Sequence, residues 1–309
     1  MIRPPPVGRG FGGAAPEAWS PDEVRVPACS ESSRRKRRTE ACWERLEPLP
    51  ILSSNAGYLG ERESGGNEPG DLVRRLAMIA IADPEVHVWW LTLQSEPQDV
   101  EQALPLLSAE EQERAGRYHF ERHRDRFVLG RAFLRKLLGA YTDDEAARVP
   151  IRLSPTGKPS LADRSDLHFN LSHCEDRGVV AVARRPVGVD LEKIRNVPEA
   201  LPIAEHLFAI SETRALRAFP AEAQSEAFLR CWTRKEAFVK GKGEGLLTPL
   251  TSFEVTLDSA PRDLVLRDEP GDGKWRLHNL EAGPGWIGAL AVELESARLV
   301  ERVWPSPDH

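Results

Sequence analysis

Residues 188–192 read Gly188-Val189-Asp190-Leu191-Glu192, and some forty residues later the chain reads Trp232-Thr233-Arg234-Lys235-Glu236-Ala237-Phe238-Val239-Lys240. In the first stretch Val187, Val189 and Leu191 alternate with Gly188, Asp190 and Glu192, the period-two pattern of a strand. The alternation sets both carboxylates on one face. In the second, Trp232, Glu236 and Lys240 recur at i, i+4 and i+8 and share one stripe of a helix. Where strand and helix face each other, three carboxylates and a lysine converge. Two carboxylates ~5 Å apart repel by roughly 3 kcal/mol at an effective dielectric of about 20. A divalent cation relieves that repulsion, and an all-oxygen donor set suits Mg²⁺.

Upstream of these strings, Val86-His87-Val88-Trp89-Trp90-Leu91-Thr92-Leu93 reads as a strand. Ser108 and Glu111 form the capping box of a helix running to Tyr118. A longer helix over about residues 122–141 carries an apolar stripe including Phe127, Phe133, Leu134, Leu137, Leu138 and Tyr141. Its polar side holds Arg122, Arg124, Arg126, Arg131 and Arg135, a pattern that serves either as a solvated face or as a phosphate-binding one. Pro155-Thr156-Gly157-Lys158-Pro159 is a turn, and strands follow near 167–171, 178–184 and 187–192. The second half repeats this grammar: helical segments over about 198–218 and 222–241, then four or five strands between 252 and 304. Gly241, Gly243 and Gly245 end the main helix. Strands, helices and strands in two similar blocks predict an α+β fold with internal pseudo-duplication.

Composition narrows the class. A chain of 309 residues is long enough for one large or two modest domains, and its apolar runs are strand-sized, too short to span a bilayer. The net charge of −6 argues against a general nucleic-acid binder. Cys29, Cys42, Cys174 and Cys231 show neither metal-ligand spacing nor a disulfide framework, which fits a reducing cytoplasm. Residues 1–77 differ from the rest. They hold 18 of the 48 glycines and prolines and a basic cluster from Arg34 to Arg38, with little apolar periodicity, and so read as a disordered N-terminal extension. The chain's two methionines are Met1 and Met78; Met78, just ahead of the first strand, is the expected start of the folded unit.

Taken singly, the candidate residues are ordinary. Asp190 and Glu192 read equally as acids on an exposed strand face, and Glu236 with Lys240 as an i, i+4 pair worth a few tenths of a kcal/mol. In Asn170-Leu171-Ser172-His173-Cys174 the adjacent Ser172 and His173 point to opposite faces, so a direct nucleophile–base pair is a poor fit and a phosphate-contacting role an easier one. The Gly241–Gly245 run is no phosphate loop: it lacks the Walker ending and follows a helix C-terminus, the negative end of the dipole.

In combination they are distinctive. Asn-Leu-Ser-His, then Gly-Val-Asp-Leu-Glu, then Trp-x-x-Lys-Glu-Ala-x-x-Lys-x-x-Gly-x-Gly-Leu, in this order and spacing, resembles the 4′-phosphopantetheinyl transferases, and among them the longer, monomeric Sfp type. The resemblance covers about residues 86–300. It implies two pseudo-symmetric α+β halves, 78–185 and 186–305, with the active site in the cleft between them. It also implies transfer of phosphopantetheine from coenzyme A to a serine of an apo acyl- or peptidyl-carrier protein, with release of adenosine 3′,5′-bisphosphate. By the same resemblance, Asp190, Glu192 and Glu236 hold the metal, Lys240 is the helix lysine, and Lys158, Ser172 and His173 meet the coenzyme A phosphates. Arg126 and Arg131 match the family's phosphate-binding helix in character.

The expected mechanism follows from charge: Mg²⁺ on the three carboxylates offsets the pyrophosphate, Lys158, His173 and Lys240 balance charge on the phosphate oxygens, and Glu236 is the candidate base. Two other functions compete. A Mg²⁺-dependent pyrophosphatase would cleave coenzyme A with water, and a non-catalytic carrier-binding module would keep the fold but lose the carboxylates or Lys240. All four of those side chains are present.

Overall fold

The computed structural model describes residues 79–94, 96–258, 264–266 and 274–303, all within one unit of the chain. The expectations for residues 1–77 and for Met78 lie outside the described residues. The element order is β1 (Glu85–Thr92), α1 (Pro97–Ala103), α2 (Ala109–Gly116), α3 (Glu121–Thr142), β2 (Ile151–Leu153), β3 (Pro159–Leu161), β4 (His168–Cys174) and β5 (Arg177–Ala183). It continues with β6 (Val187–Lys193), α4 (Ala200–Leu207), α5 (Ile210–Ala218), α6 (Ala221–Lys242), β7 (Leu264–Leu266), β8 (Trp275–Leu280), β9 (Trp286–Val292) and β10 (Arg298–Val303). The fold is α+β, as the alternation of patterns predicts.

One topology is used twice. A first strand leads through three helices, the last of 22 residues, to an antiparallel hairpin whose second strand pairs antiparallel with the first strand. This produces the sheet orders β10-β1-β5-β4 and β6-β9-β8-β7. The final strand crosses over: β10 pairs parallel with β1, Glu85 opposite Arg298 through Trp90 opposite Val303. A short β2–β3 hairpin stands apart from both sheets.

Each first strand is buried on both faces, and the period of two decides which core each side chain joins. Val86 and Val88 of β1, Val179 and Ala181 of β5, and Val187, Val189 and Leu191 of β6 form one apolar cluster between the two sheets. On the far side of the first sheet, Trp89 and Leu91 meet Phe133, Leu134, Leu137 and Leu138 of α3. On the far side of the second, Trp275, Leu277, Ala289 and Ala291 meet Phe228, Ala237 and Phe238 of α6. The layers therefore run helix, sheet, sheet, helix.

The structure refines the helix boundaries. Ser108 accepts the Glu111 N–H at 3.3 Å while Glu111 accepts the Ser108 N–H at 3.0 Å, the reciprocal cap expected there. The segment read as one helical stretch over 198–218 is two helices broken at Phe208, whose backbone is extended. Glu212 causes the break, because its buried carboxylate accepts the Ala209 N–H at 2.8 Å and starts α5 afresh. Among the described residues no helix is long and apolar enough to cross a membrane.

Candidate active site

The polar face of β6 lies against α6 at very short range. A Cβ added to Gly188 would stand 2.1 Å from the Ala237 carbonyl oxygen and 2.2 Å from the Gly241 nitrogen, so strand and helix touch backbone to backbone. Gly241 is similarly confined, with the Trp275 ring 2.6 Å from where its Cβ would be. This approach brings Asp190 and Glu192 of β6 to Glu236 and Lys240 of α6.

Lys240 Nζ donates to Asp190 Oδ1 at 2.6 Å. Ser172, on β4 of the first half, donates its hydroxyl to the same oxygen at 2.9 Å and accepts from Lys240 at 3.2 Å. Two residues earlier, Asn170 Oδ1 accepts the Val189 N–H at 2.8 Å and braces β4 against β6. Glu192 is held by Arg195, whose Nη1 donates to Oε2 at 2.7 Å. The cluster thus sits where the two halves meet.

The charges are felt. Burial pushes the Glu236 carboxyl up to about 7; Lys240 draws it down, while Asp190 and Glu192 push it further up. The Glu192 carboxyl is also raised, by burial first and Asp190 next, against Arg195 and Lys240. Burial alone would lower the Lys240 amine, but Asp190 and Glu236 outweigh it and hold it above the ordinary value. Asp190 Oδ2 is buried with no hydrogen-bond partner. An unsatisfied carboxylate oxygen beside two raised carboxyls is the donor chemistry a hard divalent cation satisfies. Among the described residues no three His, Cys, Asp or Glu side chains form a finished ligand set. Lys240 supplies the counter-charge to Asp190 instead.

The other expected residues divide into two groups. Ser172 joins the cluster directly, and His173 follows it on β4, half-buried. Arg126 is half-buried on α3. Arg131 is bound to Glu111 of α2, its Nε 2.8 Å and its Nη2 2.6 Å from Oε1, and Arg135 donates to the same carboxylate at 2.5 Å. Lys158 donates to backbone carbonyls, Gly241 O at 2.5 Å and Val187 O at 3.3 Å. Sequence reasoning passed over Asn170, Arg195 and the Lys235–Glu212 pair. Asn170 carried a usable signal, since it lies two residues from Ser172 and so shares its strand face.

Two sequence families match the chain in tandem. The 4′-phosphopantetheinyl transferase superfamily matches residues 186–291, and the family described as 4′-phosphopantetheinyl transferase, N-terminal, matches residues 91–185. The 4′-phosphopantetheinyl transferase HetI of Nostoc sp. is 34% identical over 218 residues, covering 69% of this chain and 90% of that protein. The transferase Sfp of Bacillus subtilis is 31% identical over 157 residues, 51% of this chain and 69% of Sfp. The human L-aminoadipate-semialdehyde dehydrogenase-phosphopantetheinyl transferase is 30% identical over 174 residues, 52% of this chain and 56% of that one.

Proposed function

This chain belongs to the 4′-phosphopantetheinyl transferases, and we propose from that premise that it transfers the 4′-phosphopantetheine of coenzyme A to a serine of an apo acyl- or peptidyl-carrier protein. The serine oxygen bonds to the phosphorus next to the pantetheine, the bond to the adenosine-side phosphate breaks, and adenosine 3′,5′-bisphosphate departs. The observation that carries the reading is the cluster of Asp190, Glu192, Glu236 and Lys240, with Asp190 Oδ2 unsatisfied.

Asp190, Glu192 and Glu236 are the residues that would hold Mg²⁺, which when bound neutralises the pyrophosphate and polarises the attacked phosphorus. Glu236, buried beside Lys240 and facing Asp190 and Glu192, is the proposed proton acceptor for the serine hydroxyl. Lys240 lies within reach of Asp190 and Ser172 together, so a short shift of its ammonium lets it meet charge growing on a phosphate oxygen. Ser172 holds the Asp190 oxygen that Lys240 would release, and His173 and Arg126 are the proposed phosphate contacts. The remaining catalysis is positioning. The reading takes the enzyme as a monomer in the cytoplasm, in keeping with the free thiols of Cys174 and Cys231, and places it in fatty acid, polyketide or nonribosomal peptide synthesis.

Incubation with coenzyme A, Mg²⁺ and an apo carrier should add one phosphopantetheine mass to the carrier and release adenosine 3′,5′-bisphosphate in equal amount. Cleavage of coenzyme A at the same rate without carrier would make water the nucleophile and overturn the proposal.

A further inference from the structure

The turn between β2 and β3 is closed on itself. Gly157 donates to Ser154 O at 2.9 Å, Ser154 donates to Lys158 O at 2.9 Å, and the Lys158 N–H reaches Ser154 Oγ at 3.0 Å. Gly157, at φ 86°, supplies the left-handed residue the turn needs. Two side chains leave this rigid turn for the same place. Thr156 Oγ1 donates to Gly243 O at 2.5 Å and Lys158 Nζ to Gly241 O at 2.5 Å.

Gly241 and Gly243 are the last turn and cap of α6, where carbonyls have no partner within the helix and the dipole favours a cation. The Lys158 stem crosses Gly243 so closely that a Cβ there would stand 2.6 Å from Cδ. The same ammonium also donates to Val187 O, at the first residue of β6. Among the described residues no carboxylate pairs with it, and burial draws its amine down to about 8. Two backbone carbonyls thus take two of the three ammonium donors.

We propose that Lys158 is a positioning residue that clamps the start of β6 to the end of α6, and so sets the spacing between Asp190 with Glu192 and Glu236 with Lys240. The clamp rests on the reading that those four side chains form one site. It replaces the role of phosphate contact that the resemblance implies for this lysine.

The test uses the full chain with Lys158→Met, Lys158→Arg and the milder Thr156→Val, which keeps the test open should Lys158→Met fold poorly. Three quantities are read well below the melting temperature: kcat and KM for coenzyme A, the same for 3′-dephospho-coenzyme A, and equilibrium Mn²⁺ binding by electron paramagnetic resonance without substrate. For Lys158→Met the expected result is a kcat at least tenfold lower with both donors, a KM within about twofold of the parent, and Mn²⁺ binding several-fold weaker. Thr156→Val should move the same quantities less, and Lys158→Arg should recover part of the loss.

A tenfold rise in the KM for coenzyme A, absent for 3′-dephospho-coenzyme A and with Mn²⁺ binding unchanged, would make Lys158 a phosphate ligand and overturn the clamp. A lower melting temperature with unchanged kinetics and Mn²⁺ binding would overturn it too. Absence of transfer by the parent protein would break the functional reading instead, and Mn²⁺ binding would still decide the clamp.

Discussion

The two halves share a topology and differ in what their long helices meet. In the first half the β1 face toward α3 carries His87, Trp89 and Leu91, and its polar groups are answered within the half. Tyr141 bonds His87 Nδ1 at 2.5 Å and accepts the Trp89 indole N–H at 3.0 Å. In the second half the matching face of β6 carries Gly188, Asp190 and Glu192. There Lys240 of α6 and Ser172 of the other half answer Asp190, and one oxygen stays unanswered. Helix approach differs as well. A Cβ at Gly130 of α3 would meet only side-chain carbons at 3.9 Å and beyond, whereas Gly188 and Gly241 let α6 come to backbone contact. The duplicated frame is satisfied on one side and left with crowded carboxylate charge and one unsatisfied oxygen on the other, and the unsatisfied side is where chemistry is possible.

Removing that charge should have the largest effect. With saturating Mg²⁺, Asp190→Ala and Glu236→Gln should each slow transfer by about 10³-fold or more. The melting temperature should hold or rise in Glu236→Gln, where carboxylate repulsion is relieved, and fall in Asp190→Ala, which strips the buried Lys240 ammonium of its hydrogen-bonded partner. Most of the activity surviving in either variant would erase the distinction between the halves.

The second half is also stapled internally. Lys235, fully buried, donates to Leu250 O and Phe253 O at 2.6 Å each and pairs with Glu212 at 2.8 Å. Glu212 in turn accepts the Val255 N–H at 2.7 Å. Lys235→Met should cost roughly 3–4 kcal/mol in urea unfolding, since it leaves a buried carboxylate uncompensated. A loss under about 1 kcal/mol would mean that apolar packing alone holds α5 and the 250–255 segment on α6.

The first half should announce itself through pH. His87 is 1% exposed, and burial, with Arg302 adding to it, lowers its imidazole from 6.5 to about 4. Above pH 6.5 it is neutral folded and unfolded alike. Between 6.5 and about 4 the unfolded chain takes up a proton that the folded chain refuses, so stability falls as pH drops through this window, by no more than about 3 kcal/mol. His87→Leu should remove that part of the slope. An identical slope in parent and variant would assign it elsewhere. The smallest expected effect is Ser108→Ala at the α2 cap, about 1 kcal/mol, with no change in kcat.

Much of this was legible along the chain because it is periodic or local. Alternation in 187–192 separates the Val187, Val189 and Leu191 core face from the Asp190 and Glu192 face, and the 3.6 period of 232–240 puts Glu236 and Lys240 on one stripe. The Ser108 cap needs only four residues to be recognised. The break at Phe208 was not legible, because it depends on Glu212 being buried against Ala209 and Val255, and Val255 is 43 residues from Glu212. Nor was the return of β10 to β1, a pairing across more than two hundred residues that no local pattern encodes.

The sequence by itself determined which side chains could act and on which faces they lie, because side-chain direction follows from strand and helix periods alone. Tertiary structure alone decided that Ser172 of one half completes the cluster of the other. It also decided that Lys158 spends its ammonium on the carbonyls of Val187 and Gly241, and that Arg131 is taken by Glu111. A cation's role depends on which acceptors reach it first, and acceptors distant in sequence are brought into reach only by the packing of the finished fold.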